Sequence, residues 1–206
     1  QREAAARNLQ SYHRFLTHLA LLNGQVLNLS NISREAAVNR QTLEGYFHLL
    51  QDTLLGKILE PIHLKAKVKE VSKPKFYFFD CGVVRALQNN LNSEIESDKG
   101  YLFETFILNE IRAFSSYNRR NWKIYYWGTP SENEVDFIIS EGKNLIGVEV
   151  KASTKWRSEF STGLKTLLNA KKIQKAAVVY LGTEDLIDGQ IKILKLDSFL
   201  KFLEKI

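Results

Sequence analysis

Cysteine occurs once in the 206 residues, as Cys81, so an internal disulfide and a multi-thiolate zinc site are both excluded. Methionine does not occur at all, not even at position 1, and the expectation is a piece of a longer polypeptide. All four histidines (His13, His18, His48 and His63) lie in the first third, which leaves the remainder without imidazole ligands. No apolar run approaches the ~18 residues of a membrane span. The opening QREAAARNLQ lacks the apolar core of a signal peptide. The sequence G-x-x-x-x-G-K-[ST] is absent too, so no phosphate-cradling loop of that kind lies in these residues. These absences point to a soluble, cytoplasmic chain with no membrane partner.

What is present is unevenly charged. Lys and Arg number 29 against 23 Asp and Glu, a formal charge of +6. Residues 1–75 hold eleven Lys/Arg and six Asp/Glu, whereas residues 76–206 hold eighteen and seventeen. The basic excess is therefore an N-terminal property and suits a polyanionic partner, although an excess of this size is also common on surfaces that bind nothing.

Residues 3–22 read as a helix, with Leu9, Tyr12, Leu16 and Leu19 at three- and four-residue steps and Gly24 suited to the stop. A short extended stretch at Val26-Leu27 precedes a helix over residues 32–38, capped by Ser30 or Asn31. Asn39 is suited to cap a third helix from Arg40 to about Thr53, whose first turn shows Arg40, Gln41 and Thr42 to solvent. A strand at residues 54–59, a basic loop and a second strand at residues 76–79 complete the order of a winged helix-turn-helix. The loop carries Lys65, Lys67, Lys69, Lys73 and Lys75. In a DNA complex the third helix would enter the major groove and these lysines would meet phosphates. The same architecture also serves as a protein–protein connector. Asp80 suits the cap of a short helix to about Leu87, and the polar segment 88–99 reads as a linker. The division expected is residues 1–90 and 91–206.

The second part reads as α/β. A helix spans residues 101–114, apolar through Leu102, Phe106 and Ile111 and acidic at Glu104 and Glu110. Strands follow at residues 123–127, 134–140 and 145–152, the last two joined by a turn at Gly142. A crossover helix over residues 158–170 leads to the apolar strand 176–181, a possible strand at 191–194, and a final helix capped by Asp197. Alternation sets Glu149 and Lys151 on one face of their strand, and a hairpin closing at Gly142 brings Asp136 near Glu149. Neighbouring carboxylates repel each other, and a divalent cation between them removes the repulsion. Without His or Cys nearby, the cation would be hard, Mg²⁺ or Mn²⁺. A half-buried strand alternates charged and apolar residues for ordinary reasons, so Glu-Val-Lys alone carries little. The acidic helix before it, the Val-Asp-Phe strand and the crossover helix after it carry the rest.

Asp136 followed by Glu149-Val150-Lys151, in this order of elements, resembles the PD-(D/E)xK nuclease superfamily. The resemblance implies that Asp136, Glu149 and the main chain of Val150 hold the metal, that Lys151 is catalytic, and that Glu104 on the preceding helix completes the site. Val135 stands where the superfamily's proline is usual. Residues 39–61 and 74–87 (with FYFFD), GYLFETFILNEI and residues 126–153 (with EVDF and VEVKAS) together resemble a prokaryotic family of AAA-type ATPases. Members of that family carry a winged helix and a C-terminal nuclease-like module of unknown function. The resemblance implies an ATP-binding domain upstream in the same polypeptide, with residues 3–22 either the tail of its lid or the first winged-domain helix.

Three readings follow. The chain is the C-terminal part of an AAA-type ATP-binding protein and a metal-dependent nuclease whose winged helix binds DNA. Alternatively it is a non-catalytic DNA- or protein-binding module that keeps the nuclease fold, with Asp136, Glu149 and Lys151 as a structural ion cluster. Or it is an assembly element, holding ATPase subunits in a homo-oligomer through apolar helices such as residues 101–114.

Overall fold

A computed structural model of the chain describes residues 9–65, 69–91, 99–131 and 133–206. These residues form seven α-helices, a two-stranded sheet and a six-stranded mixed sheet, a mixed α/β protein. They divide into two compact units, one of Gln1–Leu59 with Lys73–Glu96 and one of Glu60–Ser72 with Ser97–Ile206. The segment Glu60–Ser72 between the two short strands thus groups with the second unit.

In the first unit α1 (Leu9–Leu21), α2 (Leu29–Ala36) and α3 (Arg40–Asp52) are followed by β1 (Gly56–Leu59), β2 (Lys75–Phe78) and α4 (Cys81–Leu87). Asn39 and Asp80 cap α3 and α4 as expected, their side chains accepting from Thr42 N and Val83 N. The cap of α2 is Asn28 rather than Ser30 or Asn31. On α1 the buried stripe is Ser11, Phe15 and Leu19, four residues apart, while Leu9 is exposed; residues 3–8 of the expected helix lie outside the described residues. The core is aromatic. Phe15, Phe47, Phe76 and Phe78 meet edge to face in sequence at ring separations of 5.1, 5.9 and 5.0 Å, the geometry that ring quadrupoles favour. β1 and β2 pair antiparallel, and Val26 bridges to Lys75, so the expected extended stretch at Val26-Leu27 lies along β2.

The second unit contains α5 (Lys99–Tyr117), β3 (Lys123–Gly128), β4 (Glu134–Glu141), β5 (Asn144–Lys151), a 3-10 turn (Ser158–Ser161), α6 (Thr162–Asn169), β6 (Lys175–Tyr180), β7 (Leu186–Asp188), β8 (Ile191–Lys195) and α7 (Leu196–Leu203). The sheet order is β3-β4-β5-β6-β8-β7. The first three strands are antiparallel, and β6 joins β5 in parallel after the crossover through α6. β7 pairs antiparallel with β8 and was not legible in the sequence. Gly142 takes the positive φ of 62° that the β4–β5 turn requires. The last helix begins at Leu196 with no side-chain cap, so Asp197 lies within its first turn instead of capping it. On α5 the buried residues are Thr105, Ile107, Leu108, Ile111 and Ser115, and Phe106 is partly exposed.

One face of the sheet is closed by α6. Leu164 and Leu167 pack with Trp127, Val135, Ile138, Ile173, Val178 and Ile193 in a cluster shielded from water. Gly163 permits this approach, because a Cβ there would lie 2.1 Å from the Glu134 carbonyl oxygen. The edge of β3 is covered by the segment counted with this unit. Ile62 N donates to Tyr126 O at 2.8 Å, Tyr126 N to Glu60 O at 3.2 Å, and Val71 N to Gly128 O at 2.8 Å. Glu70 fixes that segment by accepting from Trp127 Nε1 at 2.8 Å and Leu64 N at 3.0 Å. An exposed edge is a template for unwanted pairing, and this cover removes it.

Candidate functional site

The pairing of β4 with β5 runs from Glu141–Asn144 at the turn to Phe137–Val148. One further step in that register sets Asp136 opposite Glu149. There the main-chain ladder ends and a side chain takes its place: Asp136 Oδ2 accepts the Val150 N–H at 2.7 Å. On the other side of β4 the register also shifts. Ile138 pairs with Tyr125, but Val135 pairs with Trp127. Two residues of β4, Asp136 and Phe137, therefore oppose the single Tyr126. A β-bulge of this kind re-aims the side chains it carries.

Both carboxylates are withdrawn from water, Asp136 at 4% exposure and Glu149 at 5%. Glu149 Oε1 is held by Lys151 Nζ at 2.5 Å. Glu149 Oε2 is buried and has no hydrogen-bond partner among the described residues. Burial, then the neighbouring Asp136 charge, push the Glu149 carboxyl well above the usual carboxylate range; Lys151 draws it partway back, and Glu134 adds a smaller upward push. Burial alone would favour neutral Lys151, but Glu149, Asp136, the hydrogen bond to Glu149 and Glu104 together outweigh it, and the ammonium is held above its ordinary value. The Lys151 ammonium also lies 5.8 Å from the centroid of the Phe160 ring. The cluster therefore sets two buried carboxylates beside one lysine, whose side chain is 30% exposed.

The sequence-predicted residues are thus only partly assembled. Asp136, Glu149, the main chain of Val150 and Lys151 come together. Glu104, half-buried on α5, contributes to the field at Lys151. Among the described residues no three or more His, Cys, Asp or Glu side chains form a group that could hold a metal ion. Glu134 and Phe160 were not singled out by sequence reasoning. Glu134 stands two residues before Asp136 and could have been flagged by that spacing; Phe160 carries no signal in one dimension.

The nucleic-acid calls scatter more. Arg40 and Gln41 are exposed on the first turn of α3, with Arg40 Nε on Glu44 Oε1 at 2.9 Å. Thr42 is half-buried beside them. Lys65, Lys69 and Lys73 are exposed, and Lys67 lies outside the described residues. Lys75 is not on the loop: it opens β2 and is buried at 4% exposure, because it pairs with Leu59 and bridges to Val26. Of the loop expected to be the wing, Glu60, Ile62 and Val71 lie along the β3 edge, and Lys73 and Lys75 belong to the first unit.

Fold and site define a mixed α/β protein with a buried carboxylate–lysine cluster at the bulged end of a β-hairpin. Residues 99–199 match the model of a domain of unknown function, DUF4143, and residues 1–94 match that of a second, DUF8612. The chain is similar to uncharacterized proteins of Mycobacterium tuberculosis and Mycobacterium bovis, each 26% identical over 169 residues, a match that covers 81% of this chain and 37% of the relative. The chain therefore spans little more than a third of the length of the curated relatives it matches. No helix among the described residues is long and apolar enough to cross a membrane.

Proposed function

We propose that the second unit is a metal-dependent phosphodiesterase of the PD-(D/E)xK type, and that the first, in which α1, α2 and α3 precede a two-stranded sheet, is a DNA-binding module. The observation that carries the reading is Glu149 Oε2, a buried carboxylate oxygen without a partner, beside a second buried carboxylate. A buried polar atom left unpaired costs ~1–3 kcal/mol, more when charged, and a fold retains that cost where a ligand relieves it. Asp136 and Glu149, with the main chain of Val150, fit a hard divalent cation, Mg²⁺ or Mn²⁺, through oxygen donors alone. When bound, the cation would supply charge neutralisation and a more acidic water. Lys151, fixed by Glu149 and kept protonated, supplies a positive charge for the negative charge that develops on a phosphate undergoing attack. Glu134 adds to the negative field at Glu149, and Glu104 to that at Lys151. In the first unit DNA would be received by the first turn of α3 (Arg40, Gln41, Thr42) and by Lys73; Lys65 and Lys69 would offer phosphate contacts on the second unit.

DUF4143 modules are commonly found with AAA-type ATPases. The chain has no phosphate-cradling glycine loop, so ATP binding would reside in a separate domain of a longer protein. The test is Mn²⁺-dependent nicking of supercoiled DNA. Asp136→Ala and Lys151→Ala are expected to lower the rate at least ~100-fold; equal nicking by wild type and both variants would remove the proposal. A second reading is a non-catalytic module in which Lys151–Glu149 is a structural ion pair. The absence of a three-donor group among the described residues favours it, and a Mn²⁺ titration without heat would select it.

A further inference from the structure

The turn that follows β5 holds two cations on one aromatic ring. Phe160 has the Lys151 ammonium 5.8 Å from its centroid and the Arg157 guanidinium 5.9 Å from it. Trp156, which packs against the α6 core cluster, meets the Phe160 ring edge to face at 5.9 Å and fixes its orientation. Lys151 belongs to the carboxylate cluster, whereas Arg157 stands in solvent, with 67% of its side chain exposed. It pairs with Glu159 at 3.5 Å, itself 69% exposed, and an exposed pair of that length holds the guanidinium weakly. The π surface of Phe160 already serves two cations, so the ring does not act as a platform for a stacked base.

We infer that Arg157 and Phe160 extend the site by one phosphate, with Arg157 taking the backbone phosphate next to the one that Lys151 faces and the ring spacing the two cations. Successive phosphates on a strand are repeated charges one nucleotide apart, and Lys151 and Arg157, 5.8 and 5.9 Å from the centroid of one ring, offer two cations side by side on the same segment of the fold. A guanidinium also binds phosphate through two parallel N–H donors, which fixes orientation as well as charge. The contact reads backbone and not sequence, so the ligand class is a nucleic-acid strand of any base composition. The inference rests on the phosphodiester reading of the site for the role of Lys151, but the Arg157 contact is measurable without turnover.

The experiment is binding of a short DNA duplex to the wild-type chain in EDTA, with affinity followed against salt concentration. Each phosphate contact contributes a slope of about one in log K against log salt. Arg157→Ala is expected to reduce the slope by about one for every sequence tried, and Arg157→Lys to restore most of it. Phe160→Leu is expected to match Arg157→Ala, and Phe160→Tyr to match wild type. Lys155→Ala, an exposed neighbour off the ring, is expected to leave the slope unchanged. An unchanged slope in Arg157→Ala overturns the inference, as does an equal fall in Lys155→Ala, which would mean a general field. Absence of DNA binding by wild type overturns it together with the proposed DNA role. A lowered slope in Arg157→Ala, with no Mn²⁺-dependent nicking by wild type, would sink the hydrolytic reading and leave the phosphate contact standing.

Discussion

Two lysine–carboxylate pairs in the second unit have nearly the same geometry and opposite electrostatics. Lys165 Nζ lies 2.7 Å from Asp188 Oδ2, and Lys151 Nζ lies 2.5 Å from Glu149 Oε1. Asp188 is 28% exposed and takes a further hydrogen bond from Ser161 Oγ at 3.1 Å; the Lys165 hydrogen bond first, and then Ser161, hold its carboxyl below the usual range. Glu149 is 7% exposed at its side chain, faces Asp136 and keeps one oxygen unpartnered, so its carboxyl is pushed up. The first pair ties α6 to β7. The second is a pair the fold has not satisfied. A contact distance alone would rank the two alike; burial and the remaining lone pairs separate them.

The sharpest break of that comparison removes each ammonium. Lys151→Met leaves two buried carboxylates without their cation and is expected to cost ~3–5 kcal/mol in urea unfolding. Next, Gly163→Ala is expected to destabilise by ~1–3 kcal/mol, because the new methyl meets backbone and not a yielding side chain. It should also displace Glu134, which a chemical-shift comparison of β4 would register. Third, Glu149→Gln removes a buried charge and is expected to raise stability by ~1 kcal/mol or more while nicking is lost, the sign that distinguishes a functional charge from a structural one. Smallest is Lys165→Met, under ~1 kcal/mol at neutral pH because the pair is exposed. Its pH dependence has a defined sign. A carboxylate lowered in the folded state contributes stability above its unfolded pKa of about 3.9, and that contribution is lost as pH falls through the lower folded value. Wild type and Lys165→Met should therefore converge in acid, a comparison made by thermal melts along a pH series.

The sequence disclosed the site better than its surroundings. Gly142 and the alternation of residues 145–152 determine the hairpin register, and the register alone brings Asp136 to Glu149. The bulge at Asp136 was hidden, since EVDFIIS reads as a regular strand until its partner β3 is known. Lys75 was misread for a related reason: charge argues for exposure, whereas pairing between β1 and the Val26 bridge buries it. The placement of Leu64 and Glu70 depends on Glu70 reaching Trp127, 57 positions away, a contact no local pattern announces. Asn28 was missed as a cap because NLSNIS offers several capping side chains within four residues. β7, three residues long, is too short for any periodicity to register.

The most direct test of the central claim is a crystal of this chain soaked in Mn²⁺ and examined for anomalous scattering. The account predicts a peak within bonding distance of both Asp136 and Glu149, with Glu149 Oε2 among its ligands, and no peak in Glu149→Gln. A clear map that shows Lys151 still on Glu149 and no manganese at that pair would contradict it.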